Sequence, residues 1–186
     1  MQFVAAILIA LAFVAAPDLE AWAQGANATA RIGAGQTASV SAKPVDGEGI
    51  LLEIALPGGR SQSFPGLGEA LVPIDGKPGG AGLLARDLDG DGIDEIVIRG
   101  SVPPERGAML VFRRDAAAGE FVPLEFTDDR DRTNKFLVVD AKEPVILNGS
   151  GAIEAQYVTT RPDGRTSSHV ARYRWTGKGF SQSGDN

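Results

Sequence analysis

The feature that most constrains the fold is the regular recurrence of turn-forming residues, which divide the chain into short apolar segments. From residue 36 onward, clusters of Gly, Pro and Asp recur about every 8–12 residues, a spacing typical of all-β domains. No segment after residue 23 keeps a helical period over three turns. Ile50–Leu56 is a strong strand candidate, and Asp163-Gly164 is typical of a hairpin turn. The sequence therefore predicts an all-β fold.

The length and the spacing of these segments also indicate the architecture. We expect about 8–10 strands in a single antiparallel sandwich or a strongly curled sheet, with helix only in a signal peptide. The segment 24–35 is small and polar without periodicity, and we expect a flexible lead-in there. The β-domain is then expected over residues 36–186. No repeat of 40–50 residues is visible, and about 160 residues hold at most three or four propeller blades, which excludes a closed seven-bladed propeller.

The first residues resemble an export signal. Phe3–Ala16 is an unbroken apolar run, too short for a typical membrane span, and Pro17 ends it. Ala21-Trp22-Ala23 fits a cleavage box, so we expect a signal peptide over residues 1–23 and cleavage between Ala23 and Gln24. The n-region lacks Lys and Arg, and an uncleaved anchor is the alternative. The expected location is periplasmic or extracellular, with no membrane span in the mature chain.

Composition removes several classes of function. The chain has no cysteine, which excludes disulfides, thiolate metal sites and cysteine nucleophiles. Its formal charge of −6 disfavours non-specific nucleic-acid binding. The one histidine, His169, has no nucleophile elbow to accompany it, so we expect no catalytic residues. Small exported domains without disulfides often need another staple, and a metal ion is one candidate.

An acidic loop at residues 87–95 carries the sharpest chemical signal. Aspartates occupy its first, third and fifth positions, and Gly92 at the sixth permits a sharp turn. This is the front half of a calcium loop, because alternate side chains can then point at one centre. The expected ligands are the side chains of four residues and the main-chain carbonyl of one: Asp87, Asp89, Asp91, Glu95 and, through its carbonyl, Ile93.

The rest of the loop departs from the EF-hand pattern. Position 12 is Ile98 where an EF-hand requires Glu, so Glu95 at position 9 is expected to close the shell. Asp94 is expected to point elsewhere. Calcium is the expected cofactor, and magnesium or a solvated turn without metal is the alternative.

The loop resembles the calcium loops of FG-GAP and VCBS-type extracellular β-domains. Their pattern, D-x-[DN]-x-D-G-x-x-[DE] followed by an apolar strand, is matched by residues 87–95 and by Ile96-Val97-Ile98. The resemblance covers this loop and its flanks, and the chain carries one copy. It implies a structural calcium ion and not a complete propeller.

The terminal hairpin suggests a surface for a partner. Arg172 and Arg174 share one strand face by the period of two, and Tyr173 and Trp175 share the other. One interpretation is a charged solvent face over an aromatic core face. The other is a docking edge, because Tyr, Trp and Arg are common anchors of protein interfaces. The expected partner is a protein or an envelope polymer.

A second, weaker resemblance concerns the same end of the chain. The acidic loop together with the segment 173–180 (YRWTGKGF) resembles periplasmic lysozyme-inhibitor-like proteins. That resemblance implies a loop placed in the cleft of a peptidoglycan hydrolase, with Ser150 and Gly151 as candidate residues. The Tyr expected close behind Ser-Gly is absent, since the nearest is Tyr157. The sequence therefore favours a calcium-stabilised, non-catalytic binding module, with hydrolase inhibition as the alternative.

Overall fold

A computed structural model describes residues 25–102, 106–160 and 162–185. The expected signal peptide and its cleavage site at Ala23 and Gln24 lie outside the described residues. The described part contains strands and turns without helix, which confirms the all-β prediction. No helix in this part has the length and apolarity needed to cross a bilayer.

The described residues form fifteen strands, more than we expected. They are, in chain order, β1 Ala26–Arg31, β2 Thr37–Val45, β3 Gly49–Leu56, β4 Arg60–Phe64, β5 Leu83–Arg86, β6 Glu95–Val102, β7 Arg106–Asp115, β8 Glu120–Pro123, β9 Phe126–Thr127, β10 Thr133–Asn134, β11 Leu137–Asp140, β12 Val145–Asn148, β13 Ala152–Thr160, β14 Thr166–Trp175 and β15 Phe180–Asp185. Part of the excess comes from β9 and β10, which have two residues each. Strands of two residues are too short to show a periodic pattern of apolar residues in a sequence.

Strands β1 to β4 form an antiparallel meander, the front sheet. The expectation of a flexible lead-in over residues 24–35 is wrong, because β1 pairs with β2 along its whole length. Ala30 and Ile32 are buried in the core under this sheet. The segment does alternate, with small apolar residues inward and polar residues outward, but alanine gives a weak hydrophobic signal.

The middle sheet has the order β11-β7-β6-β5, with β8 also paired to β7. Its central strand β6 is buried on both faces. Ile96 and Ile98 pack in the core shared with the front sheet, and Val97 packs in a second core on the other side. A strand covered on both faces reads as a continuous apolar run, which explains the sequence IVI.

The back sheet has the order β10-β9-β15-β14-β13-β12 and covers the second core. Its pairs are antiparallel except that β15 runs parallel to β9, where Phe180 lies beside Phe126. The expected sandwich therefore has a third layer, and one parallel pair interrupts the antiparallel pattern. Two cores replace the single core that a two-layer sandwich would have.

Two residues of β6 fix the loops around the middle sheet. The Arg99 side chain is fully buried, and its guanidinium donates hydrogen bonds to the carbonyls of Pro73, Ile74, Asp140 and Glu143. Burial lowers the pKa of Arg99 to about 10, so it remains a cation at neutral pH. At Gly100 the chain passes so closely that an added Cβ would overlap the carbonyl oxygen of Leu67.

Candidate metal centre and adjoining groove

Three carboxylates converge in the loop between β5 and β6. Asp87, Asp89 and Glu95 each offer an oxygen, and these oxygens lie within 4.8 Å of one another. Carboxylate oxygens at this separation suit a divalent cation such as Ca²⁺, whose ligands lie about 2.3–2.6 Å from the ion. The sequence predicted all three as metal ligands.

Hydrogen bonds from the main chain hold the loop in shape. The two carboxylate oxygens of Asp87 accept from the amides of Gly90 (2.6 Å) and Gly92 (2.9 Å). Asp89 Oδ1 accepts from the Asp91 amide at 3.1 Å. Gly92 has a φ of 87°, in the left-handed region that favours glycine. The turn expected at the sixth position is therefore present.

Glu95 has the most unusual environment in the loop. It is 1% exposed, and its Oε2 accepts from the Leu88 amide at 2.8 Å. Its Oε1 is buried without a hydrogen-bond partner among the described residues. Burial, with the nearby charges of Asp89 and Asp91, raises the pKa of Glu95 to about 7. A buried carboxylate oxygen without a donor is the kind of atom that a cation would satisfy.

Arg113 on β7 partly neutralises the cluster, a role that sequence reasoning missed. Its Nη2 lies 3.0 Å from Asp89 Oδ2 and 2.6 Å from Asp91 Oδ2, and its Nε lies 3.7 Å from Glu95 Oε1. The guanidinium also stacks on Trp175, 4.8 Å from the ring centroid. The register of β6 and β7 pairs Ile96 with Phe112 and so brings Arg113 beside Glu95. That register is a long-range property, and no local signal in the sequence reveals it.

Asp94 points away from the cluster, as expected, although it does not face solvent. Its carboxylate accepts from Arg31 Nη2 at 2.6 Å and from the Arg31 amide at 2.8 Å. Burial opposes ionisation, but the hydrogen bonds from Arg31 hold the pKa of Asp94 below its ordinary value. The Asp94 amide in turn donates to the Arg31 carbonyl at 2.9 Å. The loop is thus attached to β1 of the front sheet.

The remaining predicted ligands have different outcomes. Asp91 is not one of the three converging carboxylates; its Oδ2 pairs with Arg113 and its Oδ1 accepts from the Ile93 amide at 2.8 Å, and its role as a ligand stays a prediction. A metal-ligand role for the Ile93 carbonyl stays a prediction. The loop carries the carboxyl groups of Asp87, Asp89, Asp91 and Glu95, and among the described residues Arg113 is the base that forms ion pairs with three of them, so the loop keeps an excess of negative charge that attracts cations.

A groove of about 450 Å³ opens beside the acidic loop. Its lining brings together one loop carboxylate and the segments 150–152 and 174–175: Asp89, Ser150, Gly151, Ala152, Arg174 and Trp175. Three of the four predicted partner residues, Ser150, Gly151 and Arg174, therefore lie in one place. Ser150 and Arg174 are exposed, whereas Gly151 is buried. An added Cβ on Gly151 would lie 3.0 Å from the Trp175 Cβ, so this glycine allows the loop to approach the ring.

Arg172, the fourth predicted partner residue, is not part of the groove lining. It is exposed on β14, and its Nε lies 3.4 Å from Glu154 Oε1. Tyr173 is buried on the opposite face, in the core under the back sheet. The strand thus has the alternation that the sequence predicted, with the aromatic residue inward and the arginines outward.

The sequence predicted no catalytic residue, and the surroundings of His169 are those of a strand residue. It is half-buried on β14, stacks on Tyr157 at 5.2 Å between centroids, and lies 2.9 Å from Thr159 Oγ1 through Nε2.

Comparison of the chain with protein-family models, with curated proteins and with solved structures gave no match. The resemblances to calcium loops and to lysozyme inhibitors therefore stay predictions.

Proposed function

We propose that this chain is an exported, non-catalytic binding module that calcium stabilises. The observation that carries the proposal is the buried Glu95 carboxylate, whose Oε1 lacks a hydrogen-bond donor among the described residues and lies in a cluster with Asp87 and Asp89. The function assigned to the ion is structural.

The position of the loop explains why an ion there would stabilise the whole fold. The loop leads from β5 into β6, the strand buried on both faces. Through Asp94 it holds Arg31 of the front sheet, and through Arg113 it contacts Trp175 of the back sheet. A cation bound by Asp87, Asp89 and Glu95 would order a loop that contacts all three layers.

The groove beside the loop supports the binding role. Trp175 supplies apolar area, while Arg174, Ser150 and Asp89 supply polar groups at its border. Because Asp89 belongs both to the carboxylate cluster and to the groove lining, the ion would also fix one wall of the binding surface. The partner that suits such a surface is a protein or an envelope polymer.

Inhibition of a peptidoglycan hydrolase remains the second candidate function. The observation that favours it is the exposed Ser150 at the border of the groove, followed by the tightly packed Gly151. A short, rigid Ser-Gly turn of this kind can enter an enzyme cleft without a large loss of conformational entropy.

Calcium binding is tested by thermal melts of residues 24–186 with calcium and with chelator. We expect calcium to raise the midpoint of the wild type and to leave Asp89→Asn unchanged. Asp129→Asn is the matched control, because it removes one exposed carboxylate outside the loop and should keep the full response. A wild-type midpoint that millimolar calcium does not move would contradict the proposal.

The partner is tested by two separate assays. Sedimentation with purified peptidoglycan measures polymer binding, and Trp175→Ala should reduce the bound fraction. Lysozyme activity measures inhibition, and Ser150→Trp should abolish it by filling the groove. Unchanged lysozyme activity with the wild-type chain would remove the inhibitor hypothesis and leave the binding module in place.

A further inference from the structure

Two arginines from different sheets converge at the turn between β7 and β8. Arg60 begins β4 of the front sheet, and Arg114 lies near the end of β7 in the middle sheet. A Cβ built on Gly119 would lie 3.7 Å from Arg114 Nη2 and 3.7 Å from both terminal nitrogens of Arg60. The two guanidinium groups are therefore separated by no more than twice that distance, and they face the same space.

In the part of the chain that the structure describes, these two cations have no carboxylate in ion-pair contact. Within the described ranges, neither Arg60 nor Arg114 has an acidic oxygen within 4.0 Å, whereas Arg31, Arg113 and Arg132 each have at least one. The nearest acid along the chain, Asp115, accepts from the amides of Ala117 and Ala118 at 2.8 and 3.0 Å. Two like charges held together without a counter-charge repel each other, and an anion between them would remove that cost.

Arg114 is held in place by the fold. Its Nη1 donates to the Ile32 carbonyl at 2.8 Å, and its Nε is buried without a partner among the described residues. Its Nη2 is the nitrogen that faces Gly119. Such a fixed guanidinium loses little entropy when it binds a ligand.

Hydrogen bonds between the surrounding strands hold this place in shape. Gln62 of β4 joins the two sheets, since its Nε2 donates to the Phe121 carbonyl at 3.1 Å and its Oε1 accepts from the Phe121 amide at 2.7 Å. Gly119 has a φ of 70° and no side chain, and a Cβ built there would lie at ordinary contact distance from both guanidinium groups. Arg113, the neighbour of Arg114, contacts the acidic loop on the other face of the sheet, which makes the two places separate.

We propose that Arg60 and Arg114 form a binding site for a phosphate group. Guanidinium groups donate paired hydrogen bonds that match the oxygens of phosphate, and two of them can hold one group from two sides. The phosphate could be a free ion or the headgroup of an anionic lipid. This inference is independent of the calcium proposal, because it uses different residues.

The test is a phosphate titration in calcium-free buffer, in which binding is measured by calorimetry and by the chemical shift of the Gly119 amide. Sodium chloride at equal ionic strength controls for general screening. We expect saturable binding to the wild type and a loss of affinity of about tenfold or more in Arg60→Gln, because a hydrogen bond to a charged group is lost. Arg130→Gln is the matched control, since it removes an exposed arginine elsewhere and should bind like the wild type.

Arg60 is exposed, so its replacement should leave the fold intact. The variant Arg114→Lys tests the second arginine, because it keeps the positive charge but removes the paired donors of the guanidinium. Vesicles containing phosphatidylglycerol, in the same buffer, distinguish the two sources of the phosphate group. If the wild type binds the vesicles and Arg60→Gln does not, the ligand is a lipid headgroup. If the wild type binds inorganic phosphate but not the vesicles, the ligand is the free ion. Equal binding by the wild type and Arg60→Gln, or no saturable response to phosphate, would overturn the proposal.

Discussion

Replacement of Glu95 by Gln is expected to stabilise the metal-free protein and to remove its response to calcium. Glu95 is 1% exposed, and burial raises its pKa from 4.5 to about 7. This pKa is higher in the folded than in the unfolded chain. At pH values between 4.5 and about 7, the Glu95 carboxyl is therefore protonated in the folded chain and ionised in the unfolded chain. Its stability therefore falls as pH rises from about 4.5 to about 7, and the loss is complete above that range.

The size of the effect follows from the same shift. One pKa unit corresponds to about 1.4 kcal/mol, so the full gap would be about 3 kcal/mol. A glutamine keeps an acceptor for the Leu88 amide but loses the attraction to Arg113, so we expect a net gain of about 2 kcal/mol at pH 8. For a chain of this length that gain raises the melting midpoint by about 4–8 °C. At pH 5 the wild-type carboxyl is mostly protonated, and the difference should nearly vanish.

Calcium should reverse or cancel this order. An ion at 100 times its Kd adds about 2.7 kcal/mol to the free energy of unfolding of the wild type. The Glu95→Gln variant lacks one of the three converging carboxylates and should gain little. Differential scanning calorimetry at pH 8, in chelator and then in about 10 mM calcium, measures both midpoints. A variant that melts below the wild type in chelator and still shows the full calcium shift would refute the reasoning.

Three further substitutions test other parts of the structure. Asp91→Asn should keep a larger calcium-induced rise in the midpoint than Asp89→Asn, because Asp91 lies outside the converging cluster; calorimetric titration compares the two, and equal losses would place Asp91 among the ligands. Gly100→Ala should lower the free energy of unfolding by at least about 1–3 kcal/mol in urea, because its methyl would overlap the Leu67 carbonyl oxygen; an unchanged urea midpoint would contradict that close approach. Arg99→Met should cost more than about 3 kcal/mol in the same assay, because it removes the buried donor of four carbonyls; a cost below about 1 kcal/mol would show that water replaces the guanidinium.

Local patterns were sufficient to predict the fold class and the centre of the candidate site. Turn spacing predicted strands, and the alternation of aspartates predicted that Asp87, Asp89 and Glu95 would converge. Both signals arise within a few residues of the chain, where sequence distance and spatial distance nearly agree. The alternation on β14 was visible for the same reason.

The features that the sequence did not predict depend on contacts between distant segments. Arg113 reaches Glu95 only because of the register of β6 and β7, and Arg31 reaches Asp94 across 63 residues. The strand β1 was missed because its inward residues include alanines, whose small side chains give little contrast with Asn and Thr. The third layer was missed because the apolar run that marks a strand covered on both faces is short in β6, Ile96-Val97-Ile98, and does not by itself show how many layers surround the strand.

The burial of β6 on both faces has a consequence for the order in which the chain acquires its structure. Residues 26–64 complete the front sheet while most of the residues that cover it, from 83 onward, are still to follow. The middle sheet in turn gains its second cover only when β12 to β15 are present, at the end of the chain. In a chain that is synthesised from its N-terminus, the inner face of the front sheet and then the uncovered face of the middle sheet are therefore exposed until the last strands are present. These two apolar surfaces must not associate with other molecules during that time. We expect native structure to appear late and in one cooperative step, since neither half of the molecule can shield the middle sheet alone.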